Sequence, residues 1–218
     1  REQRRIRPMT TLSEPDRLER AERSTIERIR HAALTSFAAH GASGTTLRAV
    51  AASAGVSLGL VQHHFATKAG LIQAVDDYVL GLVVTITAQP IAAPPADSVA
   101  DMGSRITVLM GDHPDVVAYM GRALVDGSQL GTTIFDTLSA FGTARWNRRR
   151  DLGEARADID LTWATLNSLI LALGTVILRG HIERQVPNAF SAPEQLQRWQ
   201  DSVTTLLREG LFRQPGGD

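Results

Sequence analysis

The fold of this chain is decided by residues 46–65, which read TLRAVAASAGVSLGLVQHHF. Thr46 and Ser57 each precede a short helical pattern, and their hydroxyls can accept a hydrogen bond from a backbone N–H of the first turn. Gly55 falls where the first helix would end in a left-handed backbone conformation. The stretch therefore predicts two short helices joined by a tight turn. This arrangement is typical of a helix-turn-helix, whose second helix enters the major groove of DNA.

The apolar residues of this stretch predict how the two helices pack. Leu47, Val50 and Ala51 form one helical stripe, and Val56 fills the angle between the helices. On the second helix, the residues expected to face inward are Leu60, Val61 and Phe65.

Apolar residues at helical spacing continue on both sides of the two short helices. An upstream helix is predicted by Ile26, Ile29, Ala33 and Phe37 and ends at His40-Gly41, while Thr67 can cap a helix to about Thr87. Prolines 90, 94 and 95 then break the pattern. Further helices are predicted at about 97–111, 115–126, 131–151, 158–184 and 192–213.

These patterns divide the chain into three parts. Residues 1–23 are arginine-rich and predict a flexible basic arm that can contact phosphates, with a helix beginning near Glu14 to Asp16. Residues 24–75 form the predicted DNA-binding domain, and residues 76–218 form a helical body. The fold class expected is all-α.

The composition of the 218 residues narrows the possible classes of protein. A hydrophobic fraction of 43% is enough to bury a sizeable core, and the absence of cysteine fits a reducing cytoplasm. No secretory signal is expected, and neither a metal site nor a cofactor is predicted. The uncharged run 161–178 contains too many polar residues for a membrane span, so a buried helix or a dimer contact is expected there.

Charge is distributed unevenly, although the net charge is zero. Residues 1–70 hold 11 arginine or lysine residues and 6 acidic residues, whereas residues 71–218 hold 12 and 17. A basic first third joined to an acidic remainder favours a DNA-binding module on a body that does not bind DNA. The alternative is a chance segregation of charge in a neutral protein.

The chain resembles the tetracycline-repressor (TetR) family of bacterial regulators over about residues 24–75. The matching residues are Thr45 to Ala51, Ala54 to Ser57, Gly59, Val61, His64-Phe65, Lys68 and Leu71, preceded by Ile29, Ala32-Ala33, Phe37 and Gly41. The resemblance implies an all-α homodimer with an N-terminal helix-turn-helix domain and a C-terminal ligand-binding and dimerisation domain. It also implies dimer contacts through 158–184 and 192–213, and a repressor released from double-stranded operator DNA by a small apolar effector.

The residues expected to contact DNA fall into two groups. Base contacts are expected from the outward positions of the second helix, namely Ser57, Leu58, Gly59, Leu60, Gln62 and His63. Phosphate contacts are expected from Arg48 and, at positions matching the family, from Thr46, His64 and Lys68. Leu58 and Leu60 can instead simply pack, and His64 can be a structural histidine. The family usually has tyrosine where this chain has Gln62, which leaves a phosphate contact at that position open.

The body is expected to hold an apolar cavity with few polar groups. Its predicted lining residues are Met102, Ile106, Met110, Tyr119, Phe141, Arg145, Trp146, Trp163, Asn167 and Ile170. Trp163, Asn167 and Ile170 share one helix face, and the competing interpretation is ordinary core or a dimer contact. The run Arg148-Arg149-Arg150 predicts a solvated helix end, with an acidic partner as the lesser alternative.

Two other classes of protein compete with the regulator. Residues 55–59 match the G-x-S-x-G pattern of a serine hydrolase with Ser57 as nucleophile, but that motif requires a strand before the serine. A non-enzymatic helical interaction protein would explain the body and leave the helix-turn-helix pattern as coincidence. We therefore predict a protein that is not an enzyme.

Overall fold

The computed structural model describes residues 14–89 and 98–211. Within these ranges the chain forms ten helices and no β-strand, so the all-α class is confirmed. The helices are α1 Glu14–Gly44, α2 Leu47–Ala54, α3 Leu58–Phe65, α4 Lys68–Thr87, α5 Ser98–Asp112, α6 Pro114–Val125, α7 Gln129–Asp151, α8 Leu161–Ile177, α9 Arg179–Ile182 and α10 Pro193–Leu211.

Helix α1 buries the predicted apolar stripe, with Ile29, Ala33 and Phe37 fully buried. Its regular part ends at the predicted place, because the backbone at Gly41 has φ 74° and ψ 165°. The helix begins at Glu14, within the range predicted for its start, so residues 14–23 of the predicted arm belong to α1. Residues 1–13 of that predicted arm lie outside the described residues.

Helix α4 connects the helix-turn-helix to the body and ends at Thr87, as predicted. Its 20 residues are apolar enough to meet the length and composition of a membrane span. In this fold the apolar character serves packing instead, because one face of α4 is buried against neighbouring helices. The buried residues of that face are Leu71, Val75, Val79, Val83 and Thr87.

Helix α6 lies at the centre of the molecule and packs against α1, α5, α7 and α8. Its contact with α7 is close: a side chain at Gly131 would collide with the backbone carbonyl of Ala123. The apolar core is continuous from Ile29 on α1 to Leu196 on α10. The small N-terminal helices are therefore packed directly on the body.

The predicted single helix over 158–184 is wrong. Asp160 caps α8, because its carboxylate accepts hydrogen bonds from the N–H groups of Thr162 and Trp163 at 2.9 and 3.1 Å. The backbone leaves α8 at Leu178, and the short α9 follows. Glu183 fixes this bend by pairing with Arg179 at 3.0 Å and accepting from the N–H of Phe190 at 3.3 Å.

Candidate nucleic-acid interface and effector cavity

The turn between α2 and α3 has the geometry that the sequence predicts. Thr46 Oγ1 accepts from the N–H of Ala49 at 3.1 Å and caps α2. Gly55 adopts φ 67° and ψ 38°, a left-handed conformation that ends the helix. Ser57 Oγ accepts from the N–H of Leu60 at 3.1 Å and caps α3. Local hydrogen bonds thus fix the angle of α3.

Helix α3 has one buried side and one exposed side. Val61 is fully buried, and Leu58 and Phe65 pack partly buried against the same core. This corrects the predicted inner face, because Leu58 takes the inward register position that Leu60 was expected to hold. Leu60 is half-buried.

The outward side of α3 consists of small and polar residues. Ser57, Gly59, Gln62 and His63 are all exposed. A methyl group at Gly59 would meet only the Ser57 hydroxyl at 3.9 Å, so nothing in the fold itself requires glycine there. A side-chain-free position on an exposed helix face allows close approach of another surface.

The turn from α3 to α4 holds the end of the exposed helix tightly. Ala66 has φ 55°, unusual for a residue with a side chain. A side chain at Gly70 would collide with the carbonyl oxygen of Phe65. Thr67 Oγ1 accepts from the N–H of Gly70 at 3.1 Å and caps α4. These contacts place Lys68 at the first position of α4.

The four side chains expected at phosphates lie at or near helix ends. Thr46 and Arg48 are exposed at the start of α2. His64 and Lys68 are half-buried, and the His64 ring meets the edge of the His63 ring with centroids 5.1 Å apart. The His64 ring also contacts the ring of Phe65.

A cavity of about 150 Å³ lies in the body between α4, α5, α6, α7, α8 and α10. Five of the ten predicted lining residues line it, namely Met102, Ile106, Met110, Arg145 and Trp146. The sequence prediction missed Arg149 and the residues that α8 and α10 contribute. Those from the two helices are Thr165, Ser168, Leu169, Ala172, Leu173, Val176, Trp199, Gln200, Val203, Thr204 and Leu207.

The other five predicted lining residues lie elsewhere. Trp163, Asn167 and Ile170 are on the exposed face of α8, opposite the face that lines the cavity. Tyr119 is buried and bonded to α4, and Phe141 is half-buried on α7 outside the cavity lining. The α8 assignment fails because both faces of this helix are apolar, so helical spacing could not select the inner one.

Two arginines on α7 form the polar end of the cavity. Burial, together with the charges of Arg149 and Arg105, lowers the pKa of Arg145 to about 10. Burial also lowers the pKa of Arg149, whose guanidinium lies 4.9 Å from the centre of the Trp146 ring. The predicted solvated end 148–150 is therefore corrected: Arg148 and Arg150 are exposed, but Arg149 is not.

Residues 29–75 match the family model described as bacterial regulatory proteins, tetR family. A chain match extends the likeness beyond this segment: 112 residues are 34% identical to the HTH-type transcriptional regulatory protein RaaS of Mycobacterium tuberculosis. That match covers 51% of this chain and 50% of RaaS. Residues 29–75 therefore carry a tetR-family domain, and the match to RaaS supports a DNA-binding transcriptional regulator.

The rest of the chain is matched at lower identity. An uncharacterized HTH-type transcriptional regulator in the dhlA 5′ region of Xanthobacter autotrophicus is 26% identical over 207 residues, which cover 93% of this chain and 98% of that protein. The structure of SmeT, the repressor of the Stenotrophomonas maltophilia multidrug efflux pump SmeDEF, superposes with a TM-score of 0.64 at 20% identity. It covers 89% of this chain and 96% of SmeT, and a SmeT–triclosan complex superposes with a TM-score of 0.63. These likenesses extend the fold to the body.

Three hydrogen-bonding residues of α6 tie this helix of the body to α1 and α4. Thr35 on α1 donates to Asp115 at 2.8 Å. Tyr119 donates to Asp76 on α4 at 2.7 Å. Arg122 donates at 3.3 Å to each of the carbonyls of residues 38 and 39, at the end of the regular part of α1. The opposite side of α6 lines the cavity.

The hydrolase interpretation has no support in this fold. Ser57 follows helix α2 instead of a strand, so the strand-turn-helix context of a nucleophile elbow is not met. Its hydroxyl caps α3. Among the described residues, no group of three or more histidine, aspartate or glutamate side chains could hold a metal ion.

Proposed function

We propose that this chain is a homodimeric regulator that binds a double-stranded DNA operator through α3 and is released from it by a small effector in the body cavity. The observation that carries this proposal is the two-sided character of α3. Val61 anchors one side in the core with no exposed surface, while Gly59, Gln62 and His63 face outward. A capped, core-anchored helix with small and polar outward residues suits insertion into a major groove.

Base contacts on this proposal come from the exposed part of α3. Gln62 can make a bidentate pair with adenine, and His63 can reach a base edge or a phosphate. Ser57 at the N-terminal end of α3 and the bare backbone at Gly59 allow the helix to approach the groove floor. Leu60 is available for thymine methyl contacts, whereas Leu58 serves the core.

Phosphate contacts are proposed for Thr46, Arg48, His64 and Lys68. Lys68 is informative because a cation at the first residue of α4 is unfavourable for the helix dipole. The dipole of α4 therefore does not stabilise the Lys68 ammonium. A bound phosphate would make the position favourable, because it can accept hydrogen bonds from both Lys68 and the N–H groups at the N-terminus of α4. Thr46 already accepts from its own helix and still has a hydroxyl proton to donate.

Dimerisation is proposed through α8 and α10, which replaces the predicted 158–184 and 192–213 with the observed helices. Trp163, Ile170 and Ile177 make an apolar stripe on the outer face of α8, and Trp163 and Ile170 are 56% and 57% exposed. Leu206 on α10 is 59% exposed. A stripe of large exposed apolar side chains is the usual mark of an interaction surface. Asn167, within the stripe, is proposed as a dimer contact.

Release from DNA is proposed to work by a population shift through α6. Val117 and Met120 line the cavity, and Asp115 and Tyr119 of the same helix bond to α1 and α4. A ligand that fits better when α6 is displaced will favour a state with α1 and α4 displaced as well. The two copies of α3 then no longer match successive major grooves, which are about 34–36 Å apart. SmeT, whose fold is shared, is described as a repressor and forms a complex with triclosan, which supports a repressor with a small-molecule effector.

The decisive experiment selects fragments of the host genome with the purified full chain and tests them by gel retardation. We expect a pseudo-palindromic site whose half-sites are centred about 10–10.5 bp apart, or a multiple of that. Sedimentation should show a dimer on each such site or a pair of dimers. No retardation of any fragment at low salt would contradict the proposal and favour a helical interaction protein. The proposed site of action is the cytoplasm.

A further inference from the structure

The half-buried Arg145 of the cavity lacks an acidic partner among the described residues. Nη2 of Arg145 donates to the carbonyl of Thr87 at the end of α4, and Nη1 lies 3.9 Å from the sulfur of Met102. Across residues 14–89 and 98–211, no carboxylate forms a salt bridge with Arg145. A guanidinium has five N–H donors in a planar fork, so most of the fork is unused by strong acceptors of the described chain.

Two further arginines lie near Arg145. The charges of Arg149 and Arg105 lower its pKa, whereas the charge of Asp101 acts in the opposite direction. Asp101 is already paired with Arg105 at 2.8 Å. Removing a cation from water without a counter-ion is unfavourable, and a single anion placed beside Arg145 would correct it.

The remaining polar groups of the cavity wall are mostly committed to the protein. The hydroxyls of Thr87, Thr165 and Ser168 each donate to the carbonyl one turn earlier in their own helix, at 2.7, 3.0 and 2.8 Å. Gln200 accepts from Thr107 at 2.9 Å. The guanidinium end therefore provides the strong donors for a ligand, and most of the remaining wall is apolar.

We propose that the effector is a small monocarboxylate, whose carboxylate accepts a bidentate hydrogen bond from Arg145 and whose compact apolar body occupies the cavity. The body is one aromatic ring or a short alkyl chain, since a cavity of about 150 Å³ corresponds to about one benzene ring. A neutral ligand of the same shape would cover Arg145 without neutralising it, and a cationic one would place a second positive charge beside it. This inference rests on the proposed function only in naming the ligand an effector.

The test compares ligands of one shape and different charge. Phenylacetate, phenylacetamide and 2-phenylethylammonium are titrated calorimetrically into the full-length wild-type protein, and octanoate and octanamide repeat the comparison with an alkyl body. We expect each carboxylate to bind at least about tenfold more tightly than its amide, as a hydrogen-bonded charge pair requires. The ammonium compound should bind most weakly.

Variants then assign the preference to Arg145. Arg145→Gln should reduce the preference for carboxylate over amide to within about threefold, and Arg145→Lys should retain part of it because the charge remains without the fork. Arg148→Gln is the matched control, because Arg148 is an exposed arginine on the same helix. Its preference should equal that of the wild type. Unchanged amide binding by Arg145→Gln would show that its cavity is intact.

The outcomes separate this inference from the proposed function. Equal binding of acid and amide by the wild type, tighter binding of the ammonium compound, or no binding of any probe overturns the monocarboxylate assignment. The wild-type comparison decides this even if Arg145→Gln fails to fold. Gel retardation by the ligand-free protein is measured in parallel. Retardation without a carboxylate preference rejects this inference alone, whereas a carboxylate preference without retardation of any fragment supports the site and rejects the DNA-binding function.

Discussion

Helices α3 and α8 expose opposite kinds of surface, although both are anchored by apolar residues. The outer side of α3 carries Gly59, Gln62 and His63, whereas the outer side of α8 carries Trp163 and Ile170. One surface suits a charged, hydrated groove, and the other suits a second apolar surface. The buried face of each helix therefore explains how the helix is packed in the fold, whereas its exposed face indicates the kind of surface that it binds.

The proposed role of the exposed apolar face of α8 in dimerisation can be tested directly by substitution. Ile170→Glu places a carboxylate in the proposed dimer interface, where it would be buried without a partner. We expect dimerisation to weaken by at least about thirtyfold, the effect of losing a central interface residue. Operator binding should fall with it. Sedimentation velocity across a concentration series measures the change.

The control for this variant is Val125→Glu. Val125 on α6 is 66% exposed and lies outside the α8 stripe, so the same new charge should leave the dimer intact. Dimers that persist in Ile170→Glu at the wild-type concentration would reject α8 as the interface.

The outer face of α3 can be tested without adding charge. Gly59→Ala should stabilise the fold by up to about 1 kcal/mol, because glycine is a poor residue in a helix interior and the site is open. On the present proposal the added methyl group keeps α3 from the groove floor, and operator affinity should fall about tenfold. Chemical denaturation and quantitative gel retardation measure the two effects.

Gly55→Ala provides the contrast. Gly55 has φ 67°, so a side chain there is strained and should destabilise the fold. Higher stability together with undiminished DNA affinity in Gly59→Ala would show that Gly59 is a tolerated helix residue with no part in the interface.

The same contrast explains how much of the molecule could be predicted from sequence. Around α3 the signals agree: capping residues at 46, 57 and 67, a left-handed glycine, and polar outward positions. The helix bounds and the buried Val61 were therefore predictable. In α8 both faces are apolar, so Trp163 and Ile170 matched a cavity lining as well as the actual inner face did. After the bend at Leu178, Glu183 bonds the N–H of Phe190 seven residues further on, a contact that helical spacing does not predict.

The arginines at the cavity show a second limit of prediction from the sequence. Three consecutive arginines suggest a solvated helix end, but helical geometry turns one of them inward. Arg149 lies one turn after Arg145 on the cavity side, whereas Arg148 and Arg150 face solvent. The spacing of four between 145 and 149 was the available signal, and it identifies the inner face once Arg145 is placed there.

A smaller effect is expected from the proposed phosphate contact at the base of α4. Lys68→Ala should weaken binding to all DNA sequences alike, because a phosphate contact carries no base information. The slope of log affinity against log salt concentration should fall in magnitude by about 1. Titrations at several salt concentrations with operator and random DNA measure this. An unchanged slope with unchanged low-salt affinity would remove Lys68 from the interface.

The smallest expected effect lies at the junction between the two regions, where Tyr119 of α6 donates to Asp76 of α4. Burial raises the pKa of Asp76 and the charge of Asp77 raises it further, although the bond from Tyr119 opposes the shift. A carboxyl group whose pKa is raised on folding destabilises the fold once it is ionised. Stability from this group is present below its unfolded pKa and lost as pH rises through the raised value.

Asp76→Asn keeps an oxygen that accepts from Tyr119 but removes the ionisation. The variant should therefore be more stable than the wild type at neutral pH, by less than about 1 kcal/mol, and the difference should vanish as pH falls below the unfolded pKa of aspartate. Denaturation at a series of pH values measures the difference, with Asp136→Asn at an exposed position of α7 as control. A variant that is less stable at neutral pH would mean that the charge of Asp76, and not only its oxygen, holds α6 to α4. The junction would then depend on a charged hydrogen bond, and pH would alter how firmly the body is attached to the DNA-binding domain.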